Sequence, residues 1–513
     1  MQQIKTHKSA LRIFILLIFV GLFFISRVPR LGNDEANPDG VNWHYRSQQF
    51  VVGLKTGQLE KTYQHYHPGV ILMWVTGIPV ELFKQFTGIT TYDQYNFEAF
   101  NFVAKFSLIT VQLILSILII YLLAKIIGFY KSFLVVGFLS FEPFFLGNSR
   151  IYHMDVLFAL LLIVALLYSY LAIEKRKVLY TILAGLFLCW SFLTKSIGIG
   201  ALAFVFGSSL VFFAVKKDIK YYLKYGGILL AVFIVSTFIF FPAMFKGPVY
   251  YLGQIFSESA RIGLRNGHAQ IVLGSDEVIA GFNFYPLVLA LKISPFVWVG
   301  VLLFLVFLIK KEKVSIFTIS LTIFYLGYLA VLSVSPKKID RYMIPMFPYF
   351  AYLAVLGYYR LFEMNKGKKI RVGVLLSSFS LFAFVTIALP DVKLFPYLFT
   401  YSSPLFGSPE NANKIIGQKP FGMGIFDLKA VILQKYGNYP KLGFYDTKPM
   451  QAIYPNSKIF DIRTNGPGSY SLIILGINEE MPERIIDQDI FEKDSSVYIN
   501  GLEYWRIYAK KDR

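Results

Sequence analysis

The feature that most limits the fold of this chain is a series of apolar stretches that ends near residue 390. Each stretch approaches the ~20 residues that an α-helix needs to cross the hydrocarbon core of a bilayer. Hydrophobic residues make up 55% of the chain and charged residues only 16%, which is unusual for a soluble protein. Eleven membrane spans are predicted, at residues 13–26, 106–124, 132–146, 156–173, 178–193, 197–215, 226–245, 285–309, 314–334, 342–361 and 372–389. We therefore expect an all-α polytopic membrane protein up to about residue 390.

Positive charge is concentrated in short linkers between the predicted spans. The net charge of +20 could suggest a nucleic-acid partner, but this distribution is the positive-inside pattern of membrane proteins, and we expect no nucleic acid. The first span follows a basic segment, and no small-residue cleavage site comes after it, so we interpret it as a retained helix. The basic linkers are Lys125 with Lys131, 175–177, 216–217, 310–313 and 366–371. They predict a cytoplasmic N-terminus in a multi-pass protein of the plasma membrane.

The extracytoplasmic side then receives two long loops and the C-terminal segment. With the spans placed as above, the long loops are residues 27–105 and 246–284. We predict a transmembrane domain at residues 1–390, which carries both loops, and an extracytoplasmic α/β domain at residues 391–513. A functional site on this side would be built mainly from the long loops and the adjoining span ends.

The predicted C-terminal domain has signals of both helix and strand. A helical pattern covers residues 425–436 and ends at Gly437. Short strand-like runs follow at residues 441–445, 458–462 and 470–475. Asn500 and Gly501 separate two further runs, 496–499 and 502–509, and Asn-Gly is a strong hairpin signal.

Cations at the extracytoplasmic ends of the spans depart from the positive-inside pattern. Arg150 precedes span four, Lys195 follows span five, and Lys337, Lys338 and Arg341 precede span ten. Ionisable groups near the membrane are costly and usually paired or functional, and arginine binds phosphate through a fork of donors. These residues therefore suggest a bound anion, with a lipid phosphate as the natural candidate. Simple contact with lipid headgroups remains the alternative for Arg150, Lys337 and Lys338.

Two carboxylates on the same side are candidates for acid–base chemistry. Asp39 follows Pro38 in the first long loop, and Asp155 begins span four. One well-placed carboxylate is enough to take a proton from an attacking hydroxyl. Asp39 could equally be a turn residue, and Asp155 could be a helix cap.

Two histidines in the first long loop, His65 and His67, resemble a pair of metal ligands. No clear third ligand accompanies them, so we predict no metal site. The chain has no phosphate-binding glycine loop, no H-E-x-x-H and no C-x-x-C, so nucleotide hydrolysis and metalloprotease chemistry have no support, and no cofactor is expected.

Several motifs, in their order along the chain, resemble those of a known superfamily. They are NPDG and TYQHYHPGVILMW in the first long loop, SRIYHMD before span four, FLTKS after span five, YPLVLALKISPF in span eight, KKIDRYMIPMFP at span ten, and YSSPLFGSPENANKIIG with GMGIFDLKAVILQKYG in the C-terminal segment. In this combination the chain resembles the polyprenyl-phosphate-dependent glycosyltransferases of the GT-C class. That class includes the protein O-mannosyltransferases and the aminoarabinose transferases.

The resemblance implies a sugar transfer with inversion at the extracytoplasmic face. It implies that Asp39 is the general base and Asp155 the second carboxylate of the site. Many members have Asp-Glu where this chain has Asp39-Gly40, so a role for that Glu is absent, and the Asp34-Glu35 pair is a rival for the catalytic position. Many members also have Lys or His before two prolines where this chain has His67. The expected substrate-binding residues are His65, His67, Arg150, His153, Lys195, Lys338, Arg341 and Tyr342.

We therefore predict an integral membrane glycosyltransferase that uses a polyprenyl-phosphate-linked sugar, mannose or a related hexose or pentose. Its acceptor would be a hydroxyl of a protein, lipid or glycan. A transporter or flippase of lipid-linked sugars is the alternative; it would show internal repeats and interrupted helices, which are not visible in the sequence.

Overall fold

The structure, a computed structural model, describes residues 2–265, 270–367 and 369–511, so Lys368 of the last basic linker lies outside it. The region up to residue 394 is almost entirely helical. Its helices are α1 (Gln2–Ile25), α2 (Pro38–Thr56), α3 (Val70–Thr87), α4 (Phe97–Ile127), α5 (Phe129–Ser140), α6 (Pro143–Ser149), α7 (Asp155–Lys175), α8 (Val178–Thr194), α9 (Ile199–Val215), α10 (Ile219–Phe240), α11 (Pro248–Gly263), α12 (Phe284–Lys292), α13 (Pro295–Ile309), α14 (Ile316–Val334), α15 (Phe347–Met364), α16 (Lys369–Ala383) and α17 (Leu389–Leu394).

Each predicted span coincides with one of these helices or with a consecutive pair. Among the described residues, six helices are long and apolar enough to cross a membrane, or up to eight if each bent pair is one span. The apolar parts of α1 and α8 are shorter. The prediction of a helical, multi-pass membrane protein is confirmed, and the number of spans is near the predicted eleven without being fixed at that value.

Two predicted spans are broken, which the sequence analysis did not foresee. Helices α5 and α6 meet at 72°, and α12 and α13 meet at 113°. Pro143 and Pro295 each occupy the first turn of the second helix, where proline fits but cannot continue the preceding helix. The two breaks are joined, because the carboxylate of Glu142 accepts hydrogen bonds from the backbone N–H of Ser294 and from its Oγ at 2.8 Å.

The first long loop contains two helices, α2 and α3, where the sequence analysis expected no helix. Asn37 caps α2, since its Oδ1 accepts a hydrogen bond from the Gly40 N–H at 2.6 Å, and Pro38 occupies the first turn. Trp43, Phe50 and Val51 point into the core at helical spacing. Polar residues between them hid this pattern, because packing against the bundle rather than helix propensity stabilises α2.

The C-terminal domain is built on a five-stranded sheet in the order β4-β3-β5-β7-β6, and a separate hairpin of β1 and β2 precedes it in the chain. The strands are β1 (Gln270–Val272), β2 (Ser275–Glu277), β3 (Leu442–Phe444), β4 (Ile459–Asp461), β5 (Leu472–Gly476), β6 (Phe491–Ile499) and β7 (Leu502–Lys510). The accompanying helices are α18 (Pro409–Ile415), α19 (Ile425–Tyr436), α20 (Lys448–Gln451) and α21 (Glu483–Ile486). Strands β3, β4 and β5 are parallel, and β6 and β7 form the antiparallel hairpin predicted at Asn500-Gly501. The predicted α/β class and the helix at 425–436 are confirmed.

The C-terminal domain packs directly on the segment that precedes α2. The Gly424 N–H donates to the Asp34 carbonyl at 3.1 Å, and the Ala36 N–H donates to the Gly422 carbonyl at 3.4 Å. Gly422 has φ +68°, and a Cβ there would lie 2.2 Å from the Ala36 oxygen. Only glycine combines this backbone conformation with so close an approach. The end of the bundle that carries the first loop, here named the long-loop end, is therefore fastened to the sheet domain.

Candidate active site

Four segments converge at the long-loop end. They are the first turn of α2, the turn between α6 and α7, residues 195–198 after α8, and the 3-10 segment Asp340–Met346 before α15. Together they bring in five ionisable side chains, which we name the Asp39 cluster: Asp39, His153, Asp155, Lys195 and Arg341. All five were predicted as site residues from the sequence, and the structure brings them into one group.

Asp39 is held by Arg341 and lies next to His153. Its Oδ2 is 2.6 Å from the Arg341 Nη2 and 3.6 Å from the His153 Nε2. The Asp39 side chain is 39% exposed, whereas that of Asp155 is 4% exposed. A reactant from solution can therefore reach the Asp39 carboxylate, while the Asp155 carboxylate is enclosed.

Asp155 organises the cations and the imidazole from behind. Its Oδ1 is 2.7 Å from the Lys195 Nζ, and its Oδ2 is 2.9 Å from the His153 Nδ1 and 3.5 Å from the Arg341 Nε. His153 and Arg341 each face both carboxylates and so link them. Because two side chains each contact both carboxylates, and Asp155 also holds Lys195, the relative positions of all five groups are fixed.

The electrostatics keep Asp39 ionised. Burial alone would raise the pKa of this carboxyl, but Arg341 and His153 lower it, and the net result is a pKa well below the usual range. Burial would lower the pKa of Arg341, but Asp39 and Asp155 raise it above its ordinary value. The Nε and Nη1 of Arg341 have no hydrogen-bond partner among the described residues, although Arg341 is only 8% exposed. Arg341 thus retains donor capacity for an oxygen that enters the site.

The two histidines of the first loop lie beside the cluster. The Nδ1 of His67 is 3.3 Å from the Ser196 Oγ, and the His65 ring packs edge-on against Trp43. Burial lowers the pKa of His65 to about 3, helped by Arg46, and burial with Lys195 lowers the pKa of His67. Both imidazoles are neutral at physiological pH and can act as hydrogen-bonding groups. Within the described ranges no group of three or more His, Cys, Asp or Glu could hold a metal ion.

Tyr342 and Lys338 have different surroundings from each other. The Lys195 Nζ lies 4.2 Å from the centre of the Tyr342 ring, so Tyr342 belongs to the wall of the cluster. The Lys338 Nζ instead donates to the Ser335 carbonyl at 2.8 Å. The neighbouring Lys337 feels the charges of Asp39, Arg341 and Lys195, and its pKa is lowered, first by burial and then by these cations. Of the two lysines, Lys337 is thus the one within the field of the cluster charges.

Arg150, which was predicted to contact substrate, lies outside the Asp39 cluster. Its guanidinium donates to the Arg27 carbonyl at 2.6 Å, the Pro29 carbonyl at 3.0 Å and the Asp34 Oδ2 at 2.8 Å. Arg150 belongs to a second group, which we name the anchor cluster: Asp34, Glu35, Lys105 and Arg150. All four are 1–2% exposed, so the rival catalytic position at Asp34-Glu35 is closed to reactants.

Other residues near the cluster were not selected from the sequence. The Arg341 guanidinium stacks 4.5 Å above the Phe421 ring, and Lys419 feels the charge of Arg341. Arg46 lies 4.7 Å above the Trp43 ring and within the field of Asp39. Phe421 directly precedes the GMG motif of the C-terminal segment, which was the available signal. Arg46 had no signal, because the first loop was not recognised as helical.

Comparison with known proteins gives one family model and several solved structures. Residues 97–241 match the family described as dolichyl-phosphate-mannose-protein mannosyltransferase. ArnT from Cupriavidus metallidurans bound to undecaprenyl phosphate is 13% identical and superposes with a TM-score of 0.52 over 98% of either chain. The Archaeoglobus fulgidus oligosaccharyltransferase in the apo form is 11% identical, with a TM-score of 0.50 over 91% of this chain and 69% of that one. No curated protein matches the chain.

At these sequence identities the two solved structures show the fold, and the family model covers only the central helices. The superposition with ArnT covers both the helical region and the small sheet domain of this chain. The family model over residues 97–241, the shared fold and the sequence motifs agree with one another, and together they support the GT-C glycosyltransferase superfamily as the group this chain resembles.

Proposed function

We propose that this protein transfers a sugar from a polyprenyl-phosphate donor to a hydroxyl group of an acceptor, with inversion, and that Asp39 is the general base. One observation carries the proposal. Asp39 is the accessible carboxylate of a cluster in which every other member is about nine-tenths buried and two are permanent cations. A partly exposed base beside fixed positive charge suits attack by a hydroxyl with departure of a phosphate.

The proton and the leaving group have separate partners in this scheme. The acceptor oxygen bonds to the anomeric carbon, its proton passes to Asp39, and the bond from that carbon to the phosphate oxygen breaks. The products are the glycosylated acceptor and polyprenyl phosphate. Arg341, Lys195 and Lys337 would bind the phosphate and stabilise its developing charge. The undecaprenyl phosphate bound by ArnT, a protein of the same fold, supports a donor of this class.

Arg341 connects donor binding to the activity of the base. A carboxylate with a strongly lowered pKa is a poor proton acceptor, and Arg341 is the main cause of that low pKa. A donor phosphate would compete for the same guanidinium, whose Nε and Nη1 have unused hydrogen-bonding capacity among the described residues. Donor binding would thus weaken the ion pair and raise the basicity of Asp39.

Asp155 has a supporting role in this proposal. It is enclosed and contacts Lys195, His153 and Arg341, so it orients these groups rather than accepting a proton from substrate. His153 and Tyr342 belong to the same site, and His65 and His67 would offer neutral hydrogen-bonding groups to the sugar or its phosphate.

The basic linkers support an extracytoplasmic site, with the bundle of residues 1–390 in the membrane and residues 391–513 as a domain on the extracytoplasmic side. The donor lipid would reach the site from the bilayer and the acceptor from the aqueous side. Mannose or a related hexose or pentose, and a protein, lipid or glycan acceptor, are the proposed substrates.

The decisive experiment uses the purified full-length protein with a labelled polyprenyl-phosphate hexose. Asp39→Asn should reduce transfer, or release of polyprenyl phosphate, by about 10²–10⁴-fold, because the base is lost while the cations remain. Asp276→Asn is the matched control, since Asp276 is exposed on the β1–β2 hairpin, far in sequence from the cluster residues. Full activity of Asp39→Asn would contradict the assignment of the base.

The same preparation tests the transporter alternative. The two broken spans joined at Glu142 and Ser294 are a feature that transporters of lipid-linked sugars would also show. Reconstituted vesicles that move intact lipid-linked sugar across the bilayer, with no cleavage of the sugar–phosphate bond, would replace the enzyme proposal with the transporter.

A further inference from the structure

The segment between α1 and α2 contains a buried carboxylate, Glu35, that the proposed reaction does not use. It is 2% exposed and is closed to substrate. Its two oxygens nevertheless face two different parts of the Asp39 cluster. We infer that Glu35 is a positioning residue, which fixes the helix turn that carries Asp39 against the turn that carries His153 and Asp155.

One carboxylate oxygen acts on the α2 side. The Oε2 of Glu35 accepts hydrogen bonds from the Asn37 backbone N–H at 2.7 Å and from the Asn37 Nδ2 at 2.9 Å. With its Nδ2 held in this way, Asn37 turns its Oδ1 toward the Gly40 N–H, at 2.6 Å, and caps α2. Asp39 is the second residue of the helix that this cap starts, so its position follows from the orientation of Asn37.

The other oxygen acts on the side of His153 and Asp155. The Oε1 of Glu35 accepts a hydrogen bond from the Tyr152 N–H at 3.3 Å, directly before His153 in the chain. The Tyr152 hydroxyl lies 2.9 Å from the Ser47 Oγ of α2 and 2.7 Å from the Thr76 Oγ1 of α3. One carboxylate therefore joins both halves of the Asp39 cluster through neighbouring residues, without touching the cluster itself.

The rest of the anchor cluster keeps Glu35 in place. Lys105 Nζ lies 3.0 Å from the Glu35 Oε1 and 2.5 Å from the Asp34 Oδ1, and Arg150 pairs with Asp34. The Glu35 carbonyl accepts from the Asn101 Nδ2 at 3.0 Å. Asp34 shares Lys105 with Glu35 and pairs with Arg150 as well, but its carboxylate accepts no hydrogen bond from Asn37 or Tyr152 among the described residues. This difference between two adjacent acids provides a matched pair for experiment.

The two adjacent variants Glu35→Gln and Asp34→Asn each remove one buried charge from the same group. An amide cannot accept on both sides as the Glu35 carboxylate does, since its nitrogen would face an N–H donor. We expect Glu35→Gln to lower kcat by about 10- to 100-fold, because small misplacement of reacting groups costs rate steeply. The KM for the donor and the Kd for polyprenyl phosphate should stay within about two-fold, because Arg341, Lys195 and Lys337 are untouched. Asp34→Asn should lower the melting temperature while keeping kcat, measured per folded molecule, close to the original.

This inference rests on the proposed function, so a second readout is independent of turnover. Hydrogen exchange of the full-length protein should show faster exchange at the first turn of α2 and at residues 152–155 in Glu35→Gln, and not in Asp34→Asn. An unaltered protein that transfers no sugar would overturn the proposed function alone, and the exchange data would still decide on Glu35. Equal kcat losses in the two variants, or exchange changes that spread equally over the domain in both, would overturn the positioning role.

Discussion

The Asp39 cluster and the anchor cluster are two groups of the same chemical kind at the same end of the protein. Each combines two carboxylates with two permanent cations, and only four residues separate Asp34 from Asp39 in the chain. They differ in access and in degree of saturation, because Arg150 has one nitrogen, Nε, without a hydrogen-bond partner among the described residues, whereas Arg341 has two. The anchor cluster is sealed, and its ammonium and carboxylate groups are mutually paired. The Asp39 cluster has one accessible carboxylate and a guanidinium with unused donors among the described residues.

Under the proposed function, this difference separates a structural charge group from a reactive one. Burying paired charges costs desolvation that attraction only partly offsets, so such groups specify geometry more than they stabilise the protein. An incomplete group can instead exchange an internal partner for a substrate. Variants in the anchor cluster should mainly lower stability, and variants in the Asp39 cluster should mainly lower activity. Such variants therefore test the comparison.

The largest effect on stability is expected from Lys105→Met. Removal of this ammonium leaves Glu35 without a cation and Asp34 with Arg150 alone, and a broken buried pair typically costs about 3–5 kcal/mol. The measurement is the free energy of unfolding in detergent. Lys55→Met is the control, because Lys55 forms an exposed pair with Glu81 at 2.6 Å, and such pairs contribute about 1 kcal/mol or less. Equal losses of unfolding free energy in the two variants would show that the buried ion pairs of the anchor cluster stabilise the protein no more than an exposed pair.

The largest effect on activity outside Asp39 is expected from Arg341→Gln. The change should reduce kcat/KM by about 10²–10³-fold, because a guanidinium that stabilises developing charge is lost. It should also weaken binding of polyprenyl phosphate, measured directly in nanodiscs. Arg176→Gln is a matched control, since Arg176 pairs with Asp218 at 2.7 Å in an exposed linker. Retention of phosphate affinity in Arg341→Gln would move the phosphate to Lys195 and Lys337.

A smaller effect concerns the dependence of stability on pH near the anchor cluster. His44 lies 3.2 Å from the Asn101 Oδ1, and burial, with a contribution from Lys105, lowers its pKa to about 3. Because the folded-state pKa is lowered, the unfolded chain binds more protons between about pH 6.5 and 3. Stability should therefore be complete above about pH 6.5 and fall below it, by up to about 1.4 kcal/mol per pH unit for His44.

Melting temperatures across this pH range check the expectation. His44→Gln should flatten the slope, and the remainder would come from His65 and His67, whose pKa values are also lowered by burial. An unchanged slope in His44→Gln would mean that His44 is protonated in the folded protein or that other groups control the acid sensitivity.

The sequence was sufficient to predict the helical bundle, the sheet domain with its Asn500-Gly501 hairpin, and the five residues of the Asp39 cluster. These features leave strong local signals, such as apolar length, Asn-Gly at a turn, or a charge at a span end. The breaks at Pro143 and Pro295 lay inside largely apolar runs, where average hydropathy does not register a bend.

The positions of Arg150 and Lys338 outside the Asp39 cluster could not be predicted for a different reason. Both lie in the right segments, but position in the chain does not say which way a side chain points. Arg150 turns to the carbonyls of residues 27 and 29, and Lys338 turns to Ser335, whereas Lys337 lies within the field of the cluster charges. These choices depend on acceptors supplied by distant backbone, which only the folded structure brings near.

The docking of Gly422 and Gly424 on residues 34–36 also affects when the protein can become active. Ribosomes release the N-terminal part of a chain first, and domains fold in that order. The segment that leads into α2 is complete only after the sheet domain, made almost a whole chain length later, has settled on it. In a partly synthesised chain, the helices would then lie in the bilayer before the proposed active site is complete. Under the proposed function, activity would begin only after the C-terminal segment has been made and has docked.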